Sequence, residues 1–222
     1  NGKGRILEIW GLKGSSPANG RHRGLVDALD GSDIQIAYEV EGKWEKDTAR
    51  MQLKNHLLGE ENIGFDLVFG HNDVMAIGAF EISQSLGSMG KKFVGVDALP
   101  GPYGGIQAVA DGILNATFFY PTGGEKAIEV ARKILAGEKF DKENILQTAA
   151  VDSSNIRIMK QQTDRIINQQ ISITRQKEMI DTQLEIYQSQ KGLLIGFGIT
   201  LFISIISLAF VFKSLKDKQE LN

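Results

Sequence analysis

Arg21, Asn72 and Asp97 offer a guanidinium, an amide and a carboxylate, and Trp44 and Tyr120 add two flat aromatic faces. Each follows a segment with the composition of a β-strand: the run SSPANGRHR after the first, Trp44 after the second, His71-Asn72-Asp73 after the third, Asp97 after the fourth and Tyr120 after the fifth. Charged and amide groups of this kind hydrogen-bond vicinal hydroxyls in pairs, and aromatic faces stack on C–H surfaces, so the set suits a polyhydroxylated ring. No Ser/His/Asp triad or pair of carboxylates emerges, so hydrolysis or group transfer is not expected of these residues. His22, His56 and His71 are separated and lack ligand spacing, and the chain has no cysteine, so neither a metal site nor a cofactor is expected. The glycines of PGPYGG (100–105) lack the Lys-Ser/Thr ending of a phosphate loop. Asp73 reads as a first-turn carboxylate facing a helix dipole.

The elements that must position these groups alternate. RILEIW (5–10), IQIAYEV (34–40), FDLVFG (65–70), KKFVGVDA (91–98) and NATFFY (115–120) read as strands. Between them fall helical patterns at 21–29, 46–58, 73–86, 103–110 and 124–135, with 11–20 left as a glycine- and serine-rich loop. Strand and helix at these spacings predict an α/β fold, a mostly parallel sheet covered on both faces, with ligands bound beyond the carboxyl ends of the strands. This domain is expected over residues 1–154.

Composition excludes little. The 222 residues carry a formal charge of -2 and are 42% hydrophobic, which gives no bias toward nucleic acid. The absence of cysteine rules out a disulfide framework and is compatible with a bacterial periplasmic address. Opening on Asn1 with no initiator methionine and stopping at Asn222, the sequence is expected to be a piece of a longer protein, with part of the fold and any cytoplasmic machinery outside it.

The C-terminal third has a different grammar. Residues 155–190 contain no glycine or proline, and Met159, Ile166, Ile173, Ile180 and Tyr187 recur every seven residues, with Gln162, Gln169, Gln176 and Gln183 three further on. That repeat predicts a long helix with a half-polar coiled-coil seam, a marginal pairing suited to a connector that changes packing. Residues 192–212, GLLIGFGITLFISIISLAFVF, hold no charge and no proline and are long enough for a helix to cross a bilayer, so 191–212 is expected to be transmembrane. Gly192, Gly196, Thr200 and Ser204 fall four apart, placing small residues on one face. A homodimer through 155–204 is therefore expected, with a single amphipathic helix docked on its own domain as the alternative for 155–190. Lys213, Lys216 and Lys218 place 213–222 in the cytoplasm and residues 1–190 outside it.

In order and spacing, GSSPANGRHRGLVDAL, Trp44, FDLVFGHNDVMAIGAFEISQSLG, KKFVGVDALPGPYGGIQAVADGILNATFFYPTGGEKAIEVA and ILQTAAVDSSNIRIM resemble the C-terminal half of ribose-type periplasmic sugar-binding proteins and the related repressor ligand domains, over roughly residues 5–158. The resemblance implies two Rossmann-like lobes closing on a sugar, of which this chain carries most of one and part of the other. It implies ligand roles for Arg21, Asn72 and Asp97 and ring stacking for Trp44. Asn19 and Tyr120 are expected to contact the ligand as well, and they fall where ribose binders carry an arginine and a glutamine, which implies a different sugar. The membrane helix C-terminal to such a domain resembles the sensor region of hybrid two-component histidine kinases. The chain is thus expected to be the ligand-sensing part of a sugar-responsive receptor in a bacterial inner membrane, with a chemotaxis-type or cyclic-nucleotide output, or delivery to an importer, as alternatives.

Overall fold

The structure, a computed structural model, describes residues 2–59, 64–88 and 90–220. The last two residues of the expected segment 213–222, and the side chain of Lys218, lie outside the described residues. Two compact units are found, residues 1–167 and 168–222.

In the first unit the chain runs β1 (Lys3–Trp10), α1 (Ser16–Leu29), β2 (Asp33–Glu41), α2 (Lys46–Leu58), β3 (Leu67–Gly70), α3 (Asp73–Ser85), β4 (Lys92–Val94), α4 (Gly105–Ala110), β5 (Ala116–Phe118), α5 (Gly124–Leu135) and β6 (Ala150–Asp152), and α6 (Ile156–Glu220) begins within it. The strands form one sheet in the order β2-β1-β3-β4-β5-β6. Every pair is parallel except β5 with β6. From β1 the chain steps outward to β2, then back across to β3, β4 and β5. With right-handed crossovers this puts α1 on one face and α2, α3 and α4 on the other. The direction reverses between β1 and β3, and a crevice opens at the carboxyl ends there.

Side-chain alternation along β1 follows this two-sided cover. Leu7 and Ile9 join Leu53, Val68, Met75, Ala76, Ala79 and Phe93 in the main core under α2 and α3. Ile6, Glu8 and Trp10 point to the opposite face, and all three are buried. A strand covered on both sides loses the polar–apolar alternation of a half-exposed one.

Several elements depart from expectation. Helix α1 starts at Ser16, inside the stretch expected to be loop. Pro17 lies in its first turn, where its missing N–H costs nothing, and Ser15 is extended at the N-cap. Strands β4 and β5 are shorter than expected, because the backbone turns at Asp97 and Ala98. Strand β6 was not anticipated; it pairs antiparallel with β5, Thr117 opposite Val151.

Helix α5 buries no residue in this unit. Ile128 and Leu135 are 73% and 88% exposed, and Ile145 beyond the helix is 94% exposed. At the start of α6, Ile156 and Met159 pack against Ala98, Ile106 and Val151. In the second unit α6 continues to Glu220. Among the described residues it is the one helix long and apolar enough to cross a membrane.

Candidate ligand site at the carboxyl ends of the strands

The crevice at the sheet's switch point gathers side chains from α1, the β2–α2 turn, the β3–α3 junction and the loops after β4 and β5. Arg21, one and a half turns into α1, reaches across the strand ends. Its Nη1 donates to the His71 carbonyl at 2.6 Å and its Nη2 to Asp97 Oδ1 at 3.0 Å. The guanidinium carbon lies 5.1 Å from the Trp44 ring and 4.9 Å from the Tyr120 ring, so the cation sits against two aromatic faces. Its Nε is buried with no hydrogen-bond partner among the described residues.

Trp44 is held in a left-handed turn, with φ of 67° following 54° at Lys43. Its ring lies over Gly11, where a Cβ would fall 2.2 Å from the ring carbon Cζ2. Asn72 is 8% exposed and uses both ends of its amide: Oδ1 accepts from the Met75 amide at 3.0 Å and caps α3, while Nδ2 donates to the Trp44 carbonyl at 3.1 Å. The asparagine therefore ties the aromatic turn to the helix start.

Asp97 also has a left-handed backbone, φ 117°, followed by 49° at Ala98. Its amide donates to the Phe118 carbonyl at 2.9 Å and its carbonyl accepts from Tyr120 at 3.4 Å, so the residue and Tyr120 are fixed to each other through the main chain. Burial raises the Asp97 carboxyl above the usual range, and the Arg21 charge offsets part of that. Beneath it, Asp73 is 1% exposed. Burial pushes Asp73 up to about 6, the Thr117 hydroxyl offsets part of this, and the Asp97 charge adds to it. Asp73 is more than the helix-start carboxylate expected from its position: it anchors the turn that carries Asp97.

Arg21, Trp44, Asn72, Asp97 and Tyr120 thus come together. Asn19 does not join them. It is exposed on α1, two residues before Arg21, with no side-chain hydrogen bond to the other five among the described residues. Two of the three histidines, far apart in sequence, meet in space through Glu8, while His56 on α2 stacks on Tyr38 instead. His71 Nε2 lies 2.7 Å from Glu8 Oε1 and His22 Nδ1 lies 2.9 Å from Glu8 Oε2. Glu8 escaped the sequence reading because it sits in an apolar strand and its partners are 14 and 63 residues away. A carboxylate in the middle of RILEIW was the one available signal.

A doubly wound sheet with hydrogen-bonding and aromatic groups assembled at its switch point defines a ligand-binding α/β lobe, with no nucleophile–base constellation at that point among the described residues. Residues 1–139 match the periplasmic binding protein domain family, and the chain belongs to it. The ribose import binding protein of Salmonella typhimurium is 31% identical over 137 residues, covering 61% of this chain and 45% of that protein. The Bacillus subtilis ribose import binding protein is 30% identical over 144 residues, covering 64% and 45%. Among solved structures, the fructose binding periplasmic domain of a hybrid two component system is similar at a TM-score of 0.72 and 37% identity, over 78% of this chain and 57% of that one. An ABC transporter periplasmic solute binding protein from Actinobacillus succinogenes with bound D-allose gives a TM-score of 0.62 and 25% identity, over 71% and 56%. The chain spans about half the length of the curated relatives it matches.

Proposed function

We propose that this chain is the sugar-sensing region of a transmembrane receptor, a sensor histidine kinase of a hybrid two-component system. The observation that carries the ligand class is Arg21 set against the Trp44 and Tyr120 rings, with one donor on Asp97 and another on the His71 carbonyl. One cation, one carboxylate and two ring faces in a single crevice supply paired hydrogen bonds and stacking for a monosaccharide. Relatives that bind ribose, fructose and D-allose support the same class.

Residues 1–154 form the binding region, 155–190 the signalling helix, 191–212 the membrane span and 213–222 the start of the cytoplasmic part. Support for the span comes from side chains that water does not tolerate as a continuous exposed surface: Leu194, Phe197 and Phe202 are all exposed on the single chain. Support for a homodimer comes from the heptad row, where Ile166, Ile173, Ile180 and Tyr187 are likewise exposed. Met159, the first of that row, packs on the binding domain instead, so the seam begins beyond it. The uncovered apolar face of α5 is assigned to the other lobe of the binding fold. Closure of the lobes on the sugar changes the pairing of the helices, and this requires the sugar to bind the open and closed forms with different affinity.

Calorimetric titration of the full-length protein with D-ribose, D-fructose, D-allose and L-arabinose tests the reading. Binding is expected, and Asp97→Ala weakens it by about tenfold or more, the cost of roughly 1.5–3 kcal/mol for a hydrogen bond to a charged group. A folded wild type that binds no sugar overturns it. The import binding relatives favour a second reading, a membrane-tethered receptor that feeds an importer. Loss of sugar uptake without loss of sugar-dependent phosphotransfer on deleting the chain would select that one.

A further inference from the structure

Glu8 is a carboxylate with no exposed surface, in the middle of β1, and the ligand site does not use it directly. Burying a carboxylate is costly, and an apolar side chain of similar size would serve the core better. We propose that Glu8 is a positioning residue for the sugar site, acting through His71 on Arg21. The proposal rests on the sugar-site reading above.

The proton positions follow from a backbone group that can only donate. The Gly11 amide points at His71 Nδ1 at 3.2 Å, so Nδ1 is an acceptor. His71 is then neutral, with its proton on Nε2 and given to Glu8 Oε1 at 2.7 Å. The second carboxylate oxygen accepts from His22 Nδ1–H at 2.9 Å. The Trp10 ring packs against both imidazoles, with centroids 4.3 Å from His22 and 5.1 Å from His71, and Phe69 meets His71 edge-on at 5.6 Å. His71 itself is fully buried, and its amide donates to the Ile9 carbonyl at 2.9 Å. Ring and main chain are therefore both fixed, and the His71 carbonyl that takes Arg21 Nη1 at 2.6 Å is aimed by them.

The charged groups around the network are few among the described residues. Arg21 pairs with Asp97 on the ligand side. Glu39 on β2 accepts from Trp10 Nε1 at 2.8 Å and faces Lys13 at 3.5 Å. Neither arrangement replaces the Glu8 carboxylate as acceptor for His71. Removing Glu8 leaves the imidazole proton buried and unpaired, and the ring must turn or shift to recover a bond. The Arg21 anchor then moves with it.

The test uses the full-length protein with D-ribose, D-fructose, D-allose and L-arabinose as probes, alongside nitrogen NMR of the histidine rings. In the wild type His71 carries its proton on Nε2. E8Q keeps an acceptor for His71 but turns a donor toward His22, so the His22 proton moves from Nδ1 to Nε2, while sugar affinity stays within about threefold. E8A loses the His71 signature and weakens sugar binding by about tenfold or more. In an R21K background E8A adds less than about twofold, since the residue it acts through is already displaced. A purely structural role would leave the two effects additive. A His71 proton on Nδ1, a folded E8A that binds like the wild type, or additive losses in the double variant overturns the proposal. Should E8A fail to fold, E8Q decides: a loss beyond about tenfold with the His71 tautomer unchanged overturns it as well. A wild type that binds none of the sugars while His71 reads as stated removes the sugar reading, and the positioning role with it.

Discussion

Thr117 gives its hydroxyl proton to Asp73 Oδ1 at 2.5 Å and with the same oxygen takes the Ala98 amide at 3.1 Å. The strand, the helix start and the turn after β4 are locked at one atom, and Asp97 is held in place by a group that does not touch it. Thr117→Val keeps the shape and strands both partners. Each buried group left unpaired costs about 1–3 kcal/mol, so the urea midpoint falls, and sugar affinity falls with it as the Asp97 turn loosens. An unchanged affinity in the folded variant would separate the clamp from the site.

Asp73 makes stability depend on pH in a direction opposite to that of an ion-paired carboxylate. Its folded value of about 6 lies above the ordinary 3.8, so the folded state binds a proton more readily than the unfolded one. That contribution is fully present below about 3.8 and is lost as pH rises through about 6. At about 1.4 kcal/mol per unit it amounts to about 3 kcal/mol. Urea unfolding of the full chain in detergent, followed by tryptophan fluorescence, should show the wild type losing that much relative to Asp73→Asn between acid and neutral pH. A constant difference between the two proteins would show that Asp73 does not titrate in this range.

Gly11→Ala tests the ring without touching any ligand contact. The new Cβ would fall within 2.3 Å of three Trp44 ring carbons. Asn72 holds the Trp44 main chain through its carbonyl, so the turn stays and the ring must move; Trp44 stacking is displaced and sugar binding weakens by about tenfold or more, on the scale of one lost stacking face. Calorimetry on the folded variant reads this directly. Wild-type affinity would mean that stacking on Trp44 contributes nothing.

The chain has no cysteine of its own, which makes cross-linking clean. Ile173→Cys in membranes is expected to form an oxidant-induced dimer, and Arg175→Cys, two positions round the helix, to form much less. Equal yields at the two sites would argue against a defined seam.

Legibility in the sequence followed the physics of each segment. Helices α2 and α5 were readable to the residue because periodic apolar positions end at glycine or alanine. Helix α1 was not, because Pro17, Asn19 and Gly20 resemble a loop; only the fit of proline to a first turn gives the start away. Strand β6 is three residues long and depends on a partner more than thirty positions earlier, so no local pattern marks it. Trp44, Asn72, Asp97 and Tyr120 stand out because each lies at or just beyond the end of a strand-like run, and Arg21 because it is a cation in the segment after the first; the structure brings the five together, and their ligand roles are the ones proposed above. Glu8 and Thr117 do not stand out, since their partners come from other elements entirely.

The residues of φ 54°, 67°, 117° and 49°, at Lys43, Trp44, Asp97 and Ala98, are none of them glycine. Each such conformation costs an L-residue of order 1–3 kcal/mol. Two of the four carry the ring and the carboxylate of the site, where glycine would be easier on the backbone but useless for recognition. The fold accordingly concentrates its conformational debt at the candidate ligand site, and a variant selected for heat resistance alone is expected to lose ligand affinity at these two turns first.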